Sequence, residues 1–224
     1  MKATYFDAVA HVGEMDLNQK NSGSYHGARL AVARHPAAWG RIAKIGTTGF
    51  VLRRHAGAFR FLDCRSMSDD EQTEVTNWAV TCGYLAKTPR FKVSYTDPET
   101  NERQYLLYTS ADEAEDQQEE LDDASLNFVE TLVATNNLIA ATDQIASQRD
   151  KITGGLAFDL ALTCYAEQLL DFDGVWWSDK LNPLAYSAPF GTLFRPNEFV
   201  AVGYDFSDFT DTDELEDAMV YADE

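Results

Sequence analysis

The chain has 224 residues, of which 45% are hydrophobic, and this is enough to bury one full core. Its 18 Lys and Arg residues against 37 Asp and Glu residues give a formal net charge of −19, which argues against direct binding to nucleic acid because phosphate contacts need cationic side chains. No apolar run approaches the roughly 20 residues that span a bilayer, and no basic and apolar leader opens the sequence, so we expect no membrane association and a cytoplasmic location.

Alternating apolar residues predict strands in the first quarter of the chain. Residues 4–12 read as one strand, and alternation leaves open which of its faces is buried. Residues 28–33 read as a second, short strand. Residues 35–45 are predicted to form a helix with Pro36 in its first turn, and two further strands follow at 49–54 and 58–63.

The middle of the chain predicts a helix, a hairpin and a second helix. The first helix begins after a cap near Ser68, with acidic residues in its first turn. Residues 90–110 form two alternating runs around a proline-containing turn, which is typical of a hairpin. Apolar residues from Leu121 to Val133 recur near helical spacing, so we predict one long helix over 112–147.

The last third begins with an apolar helix over 156–170 and turns into a strand at Gly174. Trp176 and Trp177 follow directly. If these residues lie in a strand, the two rings point to opposite faces, so one belongs to the core and the other to a cleft. The loop over 178–189 is then expected to cross the mouth of that cleft as a lid.

The charge is unevenly distributed. Residues 1–60 carry nine Lys and Arg residues against three acids, whereas residues 112–123 hold eight acids and residues 205–224 hold nine, with no base in either segment. We therefore predict a basic protein partner. The domain organisation we expect is a single α+β domain over 1–204, with an inserted hairpin and acidic helix at about 90–150, and an acidic C-terminal tail over 205–224.

Cysteine and histidine spacing favours neither a disulfide framework nor a metal site. The three cysteines form no CxxC pair, and reduced thiols are expected. The histidines all lie in the first quarter of the chain, and none forms a metal-binding i,i+4 pair with another histidine. We therefore expect no metal.

Both ends of the chain resemble ADP-ribosyltransferase-like domains. The segment "FDGV" at 172–175 is similar to the strand entry of that family, and "FRP" at 194–196 is similar to the end of its last strand. More weakly, "AHVGEMD" at 10–16 resembles its first strand, and "GARLAVARHPAAWGRIA" at 27–43 resembles the strand and helix that follow. The resemblance covers about residues 4–62 and 155–203 and implies a split, mostly antiparallel sheet.

The resemblance also implies a set of functional residues. NAD would be the cofactor, oriented by His11 with an aromatic ring of Trp176 or Trp177 against the nicotinamide, whereas His26 falls in a polar loop. The family's catalytic glutamate corresponds to Phe190, which cannot replace a carboxylate, so Glu198 is the candidate catalytic acid and Asp179 the alternative. For both acids, a solvated surface role is the competing interpretation.

Two functions remain open on this basis. The first is an NAD-dependent mono-ADP-ribosyltransferase that acts on a protein, with a displaced catalytic acid. The second is a degenerate, non-catalytic member of that fold, an acidic inhibitor or antagonist that occludes the basic surface of a partner. The charged segments could also serve solubility alone.

Overall fold

The computed structural model describes residues 1–15, 30–178, 190–194 and 199–207, without the side chains of 41–43. These residues form an α+β fold, as predicted. The strands are β1 (Ala3–Phe6), β2 (Val9–Val12), β3 (Leu30–Ala33), β4 (Thr48–Arg54), β5 (Phe59–Asp63), β6 (Leu85–Thr96), β7 (Arg103–Tyr108), β8 (Ser125–Ala134), β9 (Gly174–Ser178), β10 (Phe190–Leu193) and β11 (Phe199–Asp205). The helices are α1 (Pro36–Ala43), α2 (Asp69–Thr81), α3 (Ala111–Glu120), α4 (Asn136–Ala141) and α5 (Gly154–Leu169), with 3-10 helices at Cys64–Ser66 and Ala146–Lys151.

Eight strands form one large curled sheet in the order β1-β5-β9-β10-β3-β2-β4-β11. β5 and β9 run parallel, and the other neighbouring strands run antiparallel. The segment predicted as one strand over 4–12 is broken at Asp7 and Ala8. Its first part pairs with β5 and its second part with β3 and β4, so it contributes to two distant positions of the same sheet.

The two faces of the large sheet pack against different cores. The inner core is aromatic and contains Phe59, Phe61 and Trp176, all fully buried, together with Val9 and Leu193. The other face is covered by α2 and α5 over part of its width and by α1 over another part. Because each strand alternates its side chains, neighbouring residues of one strand enter different cores.

The helix starts follow the sequence signals. Pro36 occupies the first turn of α1, where the missing amide proton costs no hydrogen bond. Ser68 caps α2 in a full capping box, in which its hydroxyl accepts from the Glu71 amide and the Glu71 carboxylate accepts from the Ser68 amide.

The predicted long helix over 112–147 is wrong. Its α-helical parts are α3 at its start and the short α4 near its end, and its last two residues open the second 3-10 helix. Residues 125–134 instead form β8, which pairs with β6 along ten residues. β6 also pairs with β7 in the predicted hairpin, so a second sheet has the order β7-β6-β8. β-branched residues such as Val129, Thr131 and Val133 suit a strand, and the partner strand outweighs their near-helical spacing.

The last strand extends into the segment that the sequence analysis assigns to the acidic tail. Asp205 is the last residue of β11, paired with Thr48, and its side chain accepts a hydrogen bond from Thr47. Phe206 is fully buried against Ala10 and Val51. Residues 205 and 206 therefore belong to the folded domain, and residues 208–224 lie outside the described part of the chain.

Candidate functional site

A cavity of about 400 Å³ opens on the helix-covered face of the large sheet, beside β9 and β10. It is the candidate functional site because it contains Trp177 and Phe190, two positions that the sequence singles out. Its apolar wall consists of Met67, Phe158, Leu162, Trp177 and Phe190. Its polar groups among the described residues are Cys64, Gln72, Asp159 and Ser178. This composition suits a flat, largely apolar group with a few polar contacts.

Trp176 and Trp177 occupy different environments, although they are adjacent in β9. Trp176 has no exposed surface and packs against Phe6, with ring centroids 4.5 Å apart. It is therefore a core residue and has no surface left for a cofactor. Trp177 is half-buried in the cavity wall, and its indole nitrogen donates to the Thr192 hydroxyl at 2.9 Å. That hydrogen bond fixes the plane of the ring that faces the cavity.

Phe190 begins β10 and is the residue that the predicted resemblance aligns with a catalytic glutamate. Its ring stacks on Trp39 of α1, with centroids 5.4 Å apart and an interplanar angle of 21°. An aromatic pair thus occupies this position. β10 is not the last strand in chain order, because β11 follows it.

The polar end of the cavity is held by the 3-10 helix that follows β5. Asp63 is buried, and its carboxylate accepts from the Arg65 guanidinium at 2.6 Å through both oxygens and from the Arg65 amide at 3.2 Å. These hydrogen bonds hold the pKa of Asp63 below its usual value. The turn that they stabilise places Cys64 in the cavity wall.

Cys64 is not an activated nucleophile. Burial, together with the nearby carboxylates of Asp159 and Asp63, raises the pKa of its thiol to about 12. The thiol donates to the carbonyl oxygen of Trp176 at 2.9 Å. At neutral pH the cavity therefore offers a neutral thiol, which supports packing and hydrogen bonding rather than covalent chemistry.

The "FDGV" segment has a structural explanation in this fold. The Asp173 carboxylate accepts from the Arg60 amide at 2.7 Å and from the Arg54 guanidinium at 3.1 Å. It thus ties the start of β9 to β5 and to the end of β4, two strands that do not pair with each other in the sheet. Arg60 in turn lies over the Phe172 ring, 4.3 Å from its centroid. At Gly174 a Cβ would lie 2.1 Å from the Thr192 carbonyl oxygen, so only glycine fits there.

His11 lies away from the Trp177 cavity. It shares a face of β2 with Val9, which packs in the inner core, whereas Trp177 packs against the α5 side of the sheet. Its two ring nitrogens lie 2.8 Å from the carbonyl oxygen of Ala31 and 3.1 Å from that of Glu14. The structure thus places His11 and Trp177 on opposite faces of one sheet and does not bring them to one site.

The remaining predicted site residues lie outside the described part of the chain. Glu198, the candidate catalytic acid, lies outside the described residues, as do its alternative Asp179 and the loop histidine His26. The predicted lid over 178–189 lies outside them as well, except for its first residue. Within the described ranges, no group of three or more His, Cys, Asp or Glu side chains is arranged to hold a metal ion.

An acidic surface covers the second sheet. All eight carboxylates between Asp112 and Asp123 are exposed, six of them on α3, which packs on the sheet through the fully buried Ala114. Among ion pairs between described residues, these eight acids take part in one, between Asp123 and Arg103 at 3.2 Å.

No family model matches this chain, and no curated protein or solved structure is significantly similar to it. No helix among the described residues is long and apolar enough to cross a membrane.

Proposed function

We propose that this chain is a non-catalytic, ADP-ribosyltransferase-like protein that binds the basic surface of a protein partner. The observation that carries the proposal is the acidic surface over 112–123, whose eight exposed carboxylates make a single ion pair with the described residues. The stack of Phe190 on Trp39 supports the non-catalytic character, because it leaves the expected position of the catalytic acid apolar.

The charge pattern of α3 is electrostatically unfavourable for an isolated helix. Its first turn carries Asp112 and Glu113, which suit the positive end of the helix dipole, but its last turn carries Glu119 and Glu120 and no base. Acids at the carboxyl end of a helix oppose the dipole, and the like charges also repel one another. A basic partner would relieve both costs on binding.

Partners of opposite charge attract each other before they touch. Such attraction raises the association rate and falls off beyond a screening length of about 8 Å at physiological salt. Binding through the acidic surface should therefore weaken strongly between low and moderate salt, mainly through slower association.

Two variants of equal net charge separate a specific surface from the general charge of the chain. Each removes four exposed carboxylates. The α3 variant carries Glu113→Gln, Glu115→Gln, Asp116→Asn and Glu119→Gln. The scattered variant carries Asp7→Asn, Glu99→Gln, Glu102→Gln and Glu130→Gln.

Both variants serve as bait in affinity capture from a native host lysate at low salt. We expect the unmodified chain and the scattered variant to retain the same basic protein, and the α3 variant to lose it. Equal loss with both variants would show that the interaction follows net charge alone, and the acidic surface would then serve solubility.

An NAD-dependent mono-ADP-ribosyltransferase is the second candidate, and the aromatic cavity at Trp177 favours it. If NAD stacks on Trp177, it should raise the melting temperature, and Trp177→Ala should abolish this rise while His11→Ala retains it. The opposite pattern would place NAD on the His11 face. If NAD does not raise the melting temperature of the unmodified chain, NAD binding is excluded.

Catalysis by this candidate requires a carboxylate near the ribose. Labelled NAD incubated with lysate should then mark a protein, and Glu198→Gln should abolish the labelling while Asp179→Asn preserves it. Absence of labelling by the unmodified chain would leave the binding function as the only one of the two.

A further inference from the structure

A second cavity, of about 670 Å³, lies between the three-stranded sheet and the segment that leads into α5. It is separate from the Trp177 cavity and, among the described residues, shares no lining residue with it. Arg90 of β6 and Arg149 of the second 3-10 helix both line it, in a chain whose formal charge is −19. Together with Asp150, the described lining side chains comprise two cations and one anion, so their net charge is positive.

The wall is built from parts that are far apart in the sequence. Arg90 lies opposite Val129 in the β6–β8 pair. The segment before α5 is joined to the end of β8 by a bridge between Val133 and Thr153 and by a hydrogen bond from the Ala134 amide to the Ile152 carbonyl at 3.0 Å. These contacts hold the 3-10 helix, and with it Arg149, at the edge of the sheet that carries Arg90.

The polar groups of this cavity are mainly donors. The Arg90 guanidinium makes one hydrogen bond with described residues, from Nη1 to the Pro89 carbonyl at 3.2 Å, so its other N–H groups have no acceptor there. Arg149 donates to the Asn136 side-chain oxygen at 3.2 Å, so the amide nitrogen of this lining residue remains as a donor. The Thr153 hydroxyl, at the start of α5, makes no capping hydrogen bond.

One acidic side chain opposes this excess of donors. Asp150 accepts from Arg149 at 2.7 and 2.9 Å through a single carboxylate oxygen and so is already engaged. The cavity thus has more hydrogen-bond donors than acceptors around its two guanidinium groups. This excess matches a negatively charged ligand that is rich in acceptor oxygens. Phosphate is such a group, and arginine binds it through several N–H groups at once.

The size and the lining narrow the ligand class further. The volume exceeds that of a simple oxyanion and lies in the range of small-molecule sites. None of the described side chains that line the cavity is aromatic, so it provides no ring for a base to stack on. The hydroxyl groups of Thr109 and Thr153 and the Asn136 amide suit a hydroxyl-rich body.

We propose that this cavity binds a phosphorylated, hydroxyl-rich small molecule of the sugar-phosphate class, with the phosphate between Arg90 and Arg149. The site is independent of the protein-binding function proposed above, because it rests on other residues.

The test uses calorimetric titration of the full chain with ribose 5-phosphate, ribose and inorganic phosphate at millimolar concentrations. We expect ribose 5-phosphate to bind more tightly than either of the others. Arg90→Gln and Arg149→Gln should each weaken it about tenfold or more, because each removes hydrogen bonds to a charged group.

Arg103→Gln is the matched control, since it removes the same charge from β7 of the same sheet but lies outside the cavity. It should leave the affinity for ribose 5-phosphate within about twofold. The proposal is overturned if ribose 5-phosphate does not bind, if ribose or phosphate alone binds as tightly, or if Arg103→Gln weakens binding as much as Arg90→Gln. Circular dichroism establishes that each variant is folded, and either cavity variant suffices if the other does not fold.

Discussion

The contact between Gly191 and Trp176 gives a quantitative test of the core beneath the candidate site. In Gly191→Ala the new Cβ would lie 2.4 Å from Cε3 of Trp176 and 2.8 Å from the Val175 carbonyl oxygen, whereas carbon atoms pack at about 3.5 to 4 Å. Trp176 is fully buried and cannot move into solvent. Overpacking of this kind costs about 3 kcal/mol of unfolding free energy.

Gly203 of β11 provides the control. A Cβ there meets no atom within 4 Å, and the residue is exposed, so Gly203→Ala should be neutral or more stable by about 0.5 kcal/mol. Urea unfolding followed by tryptophan fluorescence measures both free energies. For a chain of this size, 3 kcal/mol corresponds to a decrease of about 9 °C in melting temperature. Equal stability of the two variants would refute the placement of Trp176 in the core.

Three further predictions concern the described residues around both cores. Hydrogen bonds from Arg65 lower the pKa of Asp63, so the pair stabilises the fold above the unfolded pKa of the carboxyl group, and this stabilisation is lost as the pH falls through the lower, folded pKa. Arg65→Gln should therefore cost about 2 kcal/mol of unfolding free energy at pH 7 and flatten the decrease of stability toward acid pH. An unchanged acid decrease would contradict this. Iodoacetamide at pH 8 should modify the exposed Cys82 much faster than Cys64, whose pKa is about 12, as peptide mass mapping would show, and equal rates would argue against burial of Cys64. Phe206→Ala should cost about 3 kcal/mol in urea unfolding, because the ring is fully buried, and a loss below about 1 kcal/mol would return this residue to the tail.

Local signals predicted the elements whose ends are determined by nearby residues. Ser68 and Glu71 form the capping box that starts α2, and Pro36 lies in the first turn of α1. The hairpin over 90–110 follows from alternation around its turn, although β6 extends back to Leu85. In each case the interactions that decide the structure lie within a few residues of one another.

The elements that local sequence patterns predicted wrongly are determined by long-range strand pairing. β8 fits helical spacing almost as well as strand alternation, and its pairing with β6, which joins residues such as Arg90 and Val129, carries no local signal. The break at Ala8 arises because the strands on its two sides pair with different partners. Burial of Phe206 depends on Val51 and Ala10, far away in the chain.

The candidate sites show the same limit. Alternation predicts that Trp176 and Trp177 differ, but which ring is buried depends on packing against Phe6 and Phe61. Similarly, alternation leaves the face of His11 open. The second cavity combines residues from β6, the second 3-10 helix and the start of α5, and no spacing within the sequence links them.

The proposed function is tested most directly by the rate at which the captured basic partner associates with the two charge variants. This rate is measured as a function of salt concentration. For the unmodified chain and the scattered variant, the rate should fall steeply as salt rises through the range where the screening length shortens to about 8 Å. The α3 variant should associate slowly at low salt and show a much weaker dependence, with a similar dissociation rate. If instead the two variants have the same rates at every salt concentration, the acidic surface over 112–123 does not direct binding and the proposed function is contradicted.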